Sequence, residues 1–243
     1  MGPTPHRPVQ TLARAAGLVL GAATSAIRLL RRRPLHPHGV RLVGTLQPVA
    51  GRAPSGLAWF DGLTGPVPVE ARLSRGAGLP APLPDVVGIA LQLHGSDGQQ
   101  VHLLAASTGR GALGRFLLVP RRSASGVFLS TLMPFRGGSG PVVLALETDP
   151  EPALPSDPAD IARALEGWSW RLRLLHGGMR GGWHPLADVV LTHPPRGSVD
   201  TGRRSDPLLF APPGDTIYPW ARALRRPAYR AARAGAPLPE GAA

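Results

Sequence analysis

From residue 39 onward, apolar and polar residues alternate with a period of two in short runs. GVRLVGTL, GLAWF, VPVEARLS, VVGIALQL, VHLLAAS, RFLLV, GVFLSTL and GPVVLALE follow one another, punctuated by Gly, Pro, Asp or Ser. Alternation over so few residues marks half-buried strands, and many such strands with little helix between them predict an antiparallel barrel or sandwich. Residues 148–157, TDPEPALPSD, form an acidic, Pro-rich connection. Asp157 then caps a short helix, DPADIARALEG, with Pro158 at its first position. A hairpin follows. WSWRLRLLHG puts Trp168, Trp170, Leu172 and Leu174 on one face, GGMRGG turns the chain, and WHPLADVVLTH returns it. Residues 194–217 read as a long loop. PWARALRRPAYRAARAG is helical, with Pro227 expected to kink or split it and Gly235 to end it. The expected class is α+β: an antiparallel barrel of about eight strands with an N-terminal helix and C-terminal helices.

The opening stretch has a different texture. Residues 11–33, TLARAAGLVLGAATSAIRLLRRR, are basic and apolar, and the first acidic residue of the chain is Asp61. The uncharged run from Ala15 to Ile27 is too short to span a bilayer. RLLRRR follows where a mature N-terminus would be expected, which argues against a signal peptide. A helix packed on the domain and an amphipathic helix lying on an anionic membrane surface are both open for residues 11–33. The expected layout is therefore a basic, apolar helical segment over residues 1–33 and one domain over 34–243, in a cytoplasmic protein.

Composition narrows the chemistry. With 243 residues and 43% hydrophobic content the chain can bury a core. No cysteine is present, which excludes disulfides, thiolate metal sites and cysteine nucleophiles. The net charge is +12, and all 27 basic residues are arginine. Arginine suits planar, bidentate recognition of carboxylate or phosphate. Aromatic residues make up only 5% and are not interleaved with the arginines, so nucleic acid is not a favoured partner.

Three motif-like signals carry little. GRGALG, residues 109–114, has the dinucleotide spacing, but RFLLVPRR rather than a helix start follows and the next acidic residue is Glu147. It reads as a glycine turn. His176, His184 and His193 flank the second hairpin without an HExxH pattern, and read as turn or surface histidines. There is no GxSxG elbow for a hydrolase.

RPLHPHGVRLVG, residues 33–44, is more informative. Arg33, His36, Gly39 and Gly44 resemble the distal segment of the haem catalase superfamily, which enters the first barrel strand, with Arg41 replacing a middle glycine. ARLSRGAGLPAPLPDVVGIALQL resembles the next segment of that family at Arg72, Ser74, Asp85, Gly88 and Ala90. The resemblance implies that His36 moves a proton between peroxide oxygens, that Ser74 assists it, and that Arg33 and Arg72 hold haem propionates. On the following strand the family's distal Asn position falls on Ala106, with Ser107 and Thr108 after it, and the chain contains no Asn. Fast peroxide disproportionation is therefore not expected.

The family's haem iron is held by a tyrosine in an R-x-x-x-Y pattern. Arg225 and Tyr229 stand at that spacing, and the resemblance makes Tyr229 the metal ligand. On a helix the two share a face, and a guanidinium there would lower the phenol's pKa. Tyr218 has no such partner in sequence. Apart from the resemblance, Arg33 and Arg72 could pair with two carboxylates, Tyr229 could supply an oxygen ligand and His36 a base in a dry pocket. The implied function is a haem b-binding, catalase-like protein acting on a peroxide with an organic reductant, with weak catalase activity. The alternative is a non-catalytic module of the same fold that holds haem or an apolar ligand.

Overall fold

A computed structural model describes residues 36–233 apart from 97, 156, 196–198, 201–204 and 215, with side chains described to residue 230. Among the described residues nine strands are present: β1 (Gly39–Pro48), β2 (Val67–Arg75), β3 (Val87–His94), β4 (Gln100–Ser107), β5 (Phe128–Ser130), β6 (Phe135–Gly137), β7 (Gly140–Thr148), β8 (Trp170–Gly177) and β9 (His184–Thr192). Every pairing is antiparallel. The order β5-β4-β3-β2-β1-β9-β8-β7, with β5 also paired to β7, closes eight strands into a barrel. β6 extends β7 as a short hairpin outside the ring.

Alternation in the sequence becomes the two faces of the wall. Val40, Leu42 and Leu46 of β1, Leu73 of β2 and Leu91 of β3 are buried in one continuous core. On the other face the registers line up Gly39, Ser74, Gly88 and Ala106 across β1 to β4. The next row is Arg41, Arg72, Ala90 and Leu104. Closure demands one small residue. A Cβ on Gly44 would lie 1.8 Å from the Val190 carbonyl oxygen, so β1 and β9 approach only because Gly44 has no side chain.

Two runs expected to be strands are not. GLAWF forms a single helical turn, α1 (Ala58–Asp61). The Asp61 carboxylate accepts the Ser55 N–H at 2.8 Å, the Ser55 hydroxyl at 2.7 Å and the Gly56 N–H at 2.9 Å, curling the segment onto itself. RFLLV holds only a 3₁₀ turn over Gly114–Phe116. Its buried member is Arg115, which donates to the Gly178 and Gly181 carbonyls at 2.6 and 2.8 Å, while Leu117 and Leu118 face solvent. β8 and β9, the expected hairpin, supply the last two staves instead.

The helices follow the sequence more closely. Asp157 caps α2 (Pro158–Ala164) by accepting the Ala159 N–H at 2.8 Å. α3 (Pro219–Arg233) continues as one helix through Pro227, so the proline does not split it. Ala221 is buried before the proline, Arg225 donates to the Thr131 carbonyl at 3.1 Å, and Tyr229 is half-buried after it. Arg222, Arg226 and Arg230 form the exposed stripe. Gly235, Arg33 and the segment over residues 1–33 lie outside the described residues. No helix among the described residues is long and apolar enough to cross a membrane.

Candidate functional site

His36 sits just before β1 with φ of 54°, a left-handed conformation that a non-glycine residue adopts only when its surroundings hold it there. Its N–H donates to the Gly76 carbonyl at 2.8 Å, and its carbonyl accepts from Arg72 Nη2 at 3.1 Å. The imidazole lies against Gly88, where a Cβ would come 2.3 Å from His36 Cε1. Nδ1 is 2.9 Å from Ser74 Oγ, and Ser74 Oγ is 3.3 Å from the Gly88 carbonyl oxygen. Serine has one proton to donate. Both contacts hold together when Nδ1–H donates to Oγ and the hydroxyl donates to the carbonyl, which leaves Nε2 as the free acceptor.

Electrostatics favour the same neutral form. Burial, then the Arg72 charge, lower the His36 pKa to about 4 against a weaker opposing pull from Asp85. His36 is therefore an uncharged base at neutral pH. Ser74 is its side-chain hydrogen-bond partner. Ser107 is not, because its hydroxyl accepts the Val87 N–H at 3.0 Å and donates to the Val119 carbonyl at 2.7 Å. Ala106 pairs with Gly88 in register, so a methyl group stands beside the histidine's cradle.

Arg72 is committed differently from the sequence expectation. Its Nε and Nη2 donate to the two carboxylate oxygens of Asp200 at 2.7 and 2.8 Å. The Gly39 N–H reaches Asp200 Oδ2 at 3.1 Å, and the Arg41 N–H donates to the Val199 carbonyl at 2.7 Å. Residues 199 and 200 thus lie across the outer face of β1 and β2. The sequence offered no signal for this, since Asp200 lies far along a loop without periodicity. Among the described residues Nη1 of Arg72 has no hydrogen-bond partner.

On the far side of that face, His102 of β4 is buried. Its Nδ1 accepts the Asp206 N–H at 3.0 Å and its ring stacks at 4.2 Å on Phe210. α3 carries Tyr229, whose electrostatic neighbours are Arg225 and Asp206. The expected direction of its titration is corrected here. Burial raises the phenol's pKa, Asp206 adds to the rise, and the lowering pull of Arg225 does not overcome them. The Arg225 guanidinium is also engaged with the Thr131 carbonyl. Tyr218 does have an arginine partner, since Arg136 lies over its ring at 5.4 Å.

Of the histidines expected at turns or on the surface, His176 is instead a buried residue of β8. GRGALG closes a turn through the Gly109 N–H and Gly114 carbonyl at 3.0 Å, pinned by Arg115 under Trp183. The His176 and His184 rings are 5.4 Å apart, and no group of three or more metal-ligating side chains occurs among the described residues.

No protein-family model and no curated protein matches the chain. Solved structures do. A fungal catalase superimposes with TM-score 0.56 and 14% identity over 83% of this chain and 59% of its own. A bacterial catalase gives 0.57 and 13% over 86% and 58%, and catalase A from Saccharomyces cerevisiae 0.57 and 13% over 83% and 60%. The fold is catalase-like. The chain spans about three fifths of the length of these catalases, and at such identity the likeness concerns architecture.

Within this catalase-like fold the residues nominated for a haem stand in different states. His36 is cradled, neutral and oriented. Arg72 retains only Nη1 for a carboxylate, and the Tyr229 phenol is held in its protonated form until something displaces that proton.

Proposed function

We propose that this protein binds haem b and acts on a hydroperoxide, with His36 as the proton carrier. The carrying observation is the His36–Ser74–Gly88 arrangement, which supports an imidazole held neutral with Nε2 free. Tyr229 would supply the iron ligand on giving up its proton, beside the positive charge of Arg225. Arg72 Nη1, and Arg33 from outside the described residues, would hold the carboxylates. Haem, when bound, would supply an iron centre and the reducing equivalents for peroxide cleavage. His36 Nε2 takes the proton from one peroxide oxygen and delivers it to the other, which then leaves as water or alcohol. Nδ1–H stays on Ser74 throughout and fixes the ring. With Ala106 beside the cradle, no amide orients a second peroxide there, so an organic reductant is the expected electron donor.

The Arg72–Asp200 pair favours a second reading, in which the same face is a non-catalytic binding module and Asp200 neutralises an arginine no longer needed for a ligand. Absorption spectra during haemin titration, with Tyr229→Phe alongside, separate the two. A Soret band that shifts in the variant, with peroxide consumption lost in His36→Ala, supports the enzyme. Haemin uptake with turnover unaffected by His36→Ala refutes the mechanism, and no uptake refutes the haem site.

A further inference from the structure

At the end of the barrel where β2 stops, a small cavity opens between the arginine-rich segment after the 3₁₀ turn and the start of α2. Its interior has room for about one water-sized body, 20 Å³ for the centre of that body, and its mouth is open. Its lining includes Arg75, Arg121 and Arg122 together with Pro155, Pro158 and Ile161. Arg75 occupies an inward register position, and its side chain is only 10% exposed. Its Nη2 donates to the Leu83 carbonyl. The buried Nε atoms of both Arg75 and Arg121 have no hydrogen-bond partner.

The nearby carboxylate does not supply one. Asp85 accepts the N–H groups of Ala77, Leu79 and Val86 at 2.9, 3.0 and 2.7 Å. It stands 3.8 Å from Arg75 Nε, too far for a hydrogen bond. The same residue fixes the second arginine, because Asp85 and Arg121 exchange backbone hydrogen bonds at 3.0 and 2.8 Å. Arg75 keeps Asp85 as its ion-pair partner, but the Nε–H groups of Arg75 and Arg121, two residues that line one cavity, are left without a hydrogen-bond acceptor.

We propose that this cavity is a binding site for a compact oxyanion group, a carboxylate or a phosphate carried by a small molecule, with Arg75 and Arg121 as its donors. One oxygen of the anion, the size of a water molecule, enters the cavity beside Arg75 and Arg121, while the rest of the group and any organic remainder lie at the open mouth against Pro155, Pro158 and Ile161. The site is separate from the Nε2 atom of His36, although Ser74 belongs to the walls of both.

The test uses the full chain, titrated with inorganic phosphate and with butyrate against sodium chloride at matched ionic strength, read by calorimetry and by the melting temperature. Arg121→Gln is the chief variant, because this side chain is only part-buried and its backbone bonds survive the change. Arg222→Gln, on the exposed stripe of α3, controls for the high net charge. Saturable binding of phosphate or butyrate, about tenfold weaker in Arg121→Gln and unchanged in Arg222→Gln, is expected. Preference for butyrate assigns a carboxylate with an apolar remainder, and preference for phosphate assigns a phosphate group. Equal binding by wild type and Arg121→Gln, or no response beyond that to chloride, overturns the proposal and leaves the cavity to water.

Discussion

Replacing Gly88 by alanine places a carbon 2.3 Å from His36 Cε1 and 2.8 Å from Nδ1. Carbon atoms settle at about 3.5 Å or more, so the ring must retreat by roughly 1 Å. The Nδ1–Oγ contact starts at 2.9 Å, and such a retreat takes it past hydrogen-bonding range. The strand itself does not object, because alanine is the better residue inside a strand by about 0.5–1 kcal/mol. The expected outcome is a folded protein whose His36 has lost its cradle. Its pKa, lowered from 6.5 to about 4 by burial first and Arg72 second, then climbs back toward 6.5. The full return corresponds to roughly 3 kcal/mol in the preference for the neutral form. A titration of the imidazole Cε1–H resonances by NMR, wild type against Gly88→Ala, reads this directly. A His36 resonance still titrating near 4 in a natively folded variant would refute the argument that Gly88 positions the ring.

Three further outcomes are expected. Gly44→Ala forces a Cβ into the Val190 carbonyl oxygen, a backbone atom that cannot swing aside, and should cost about 3 kcal/mol in chemical denaturation by parting the β1–β9 seam. His36 and His102 both titrate at about 4 in the folded protein, in each case chiefly through burial, and near 6.5 when unfolded. Their stability contribution is therefore complete above pH 6.5 and is lost as pH falls toward 4. Urea unfolding at stepped pH should show a steep decline in that window, flattened in His102→Gln. Asp200→Asn removes the charge facing Arg72 and should lower stability by roughly 1–2 kcal/mol in thermal melts, while haemin affinity rises as the guanidinium is released.

Much of the barrel was legible because period-two alternation reports directly on a wall with one buried face. β2, β3, β4, β7, β8 and β9 stand where the alternation put them. The two failures share a cause. GLAWF and RFLLV have strand-like composition, but a side chain from the same segment makes the decisive bonds. Asp61 gathers its own backbone in the first, and in the second Arg115 reaches across to the 178–181 turn. Composition cannot reveal such pairings. Likewise α3 was visible from its pattern, whereas the docking of Arg225 on the Thr131 carbonyl was not.

The candidate site divides along the same line. Residue type and spacing in sequence nominated His36, Arg72, Ser74 and Tyr229, because each type carries a distinct chemistry. Pairing in space decided their states. Ser74 and Gly88 orient the imidazole, and burial keeps it neutral. Asp200, from a loop without periodicity, claims most of Arg72. Burial outweighs Arg225 at the Tyr229 phenol. Local sequence reports on which face a residue occupies and what groups it bears. Desolvation and long-range ion pairing depend on what the closed barrel brings beside it, and these set the charge state on which any chemistry here must run.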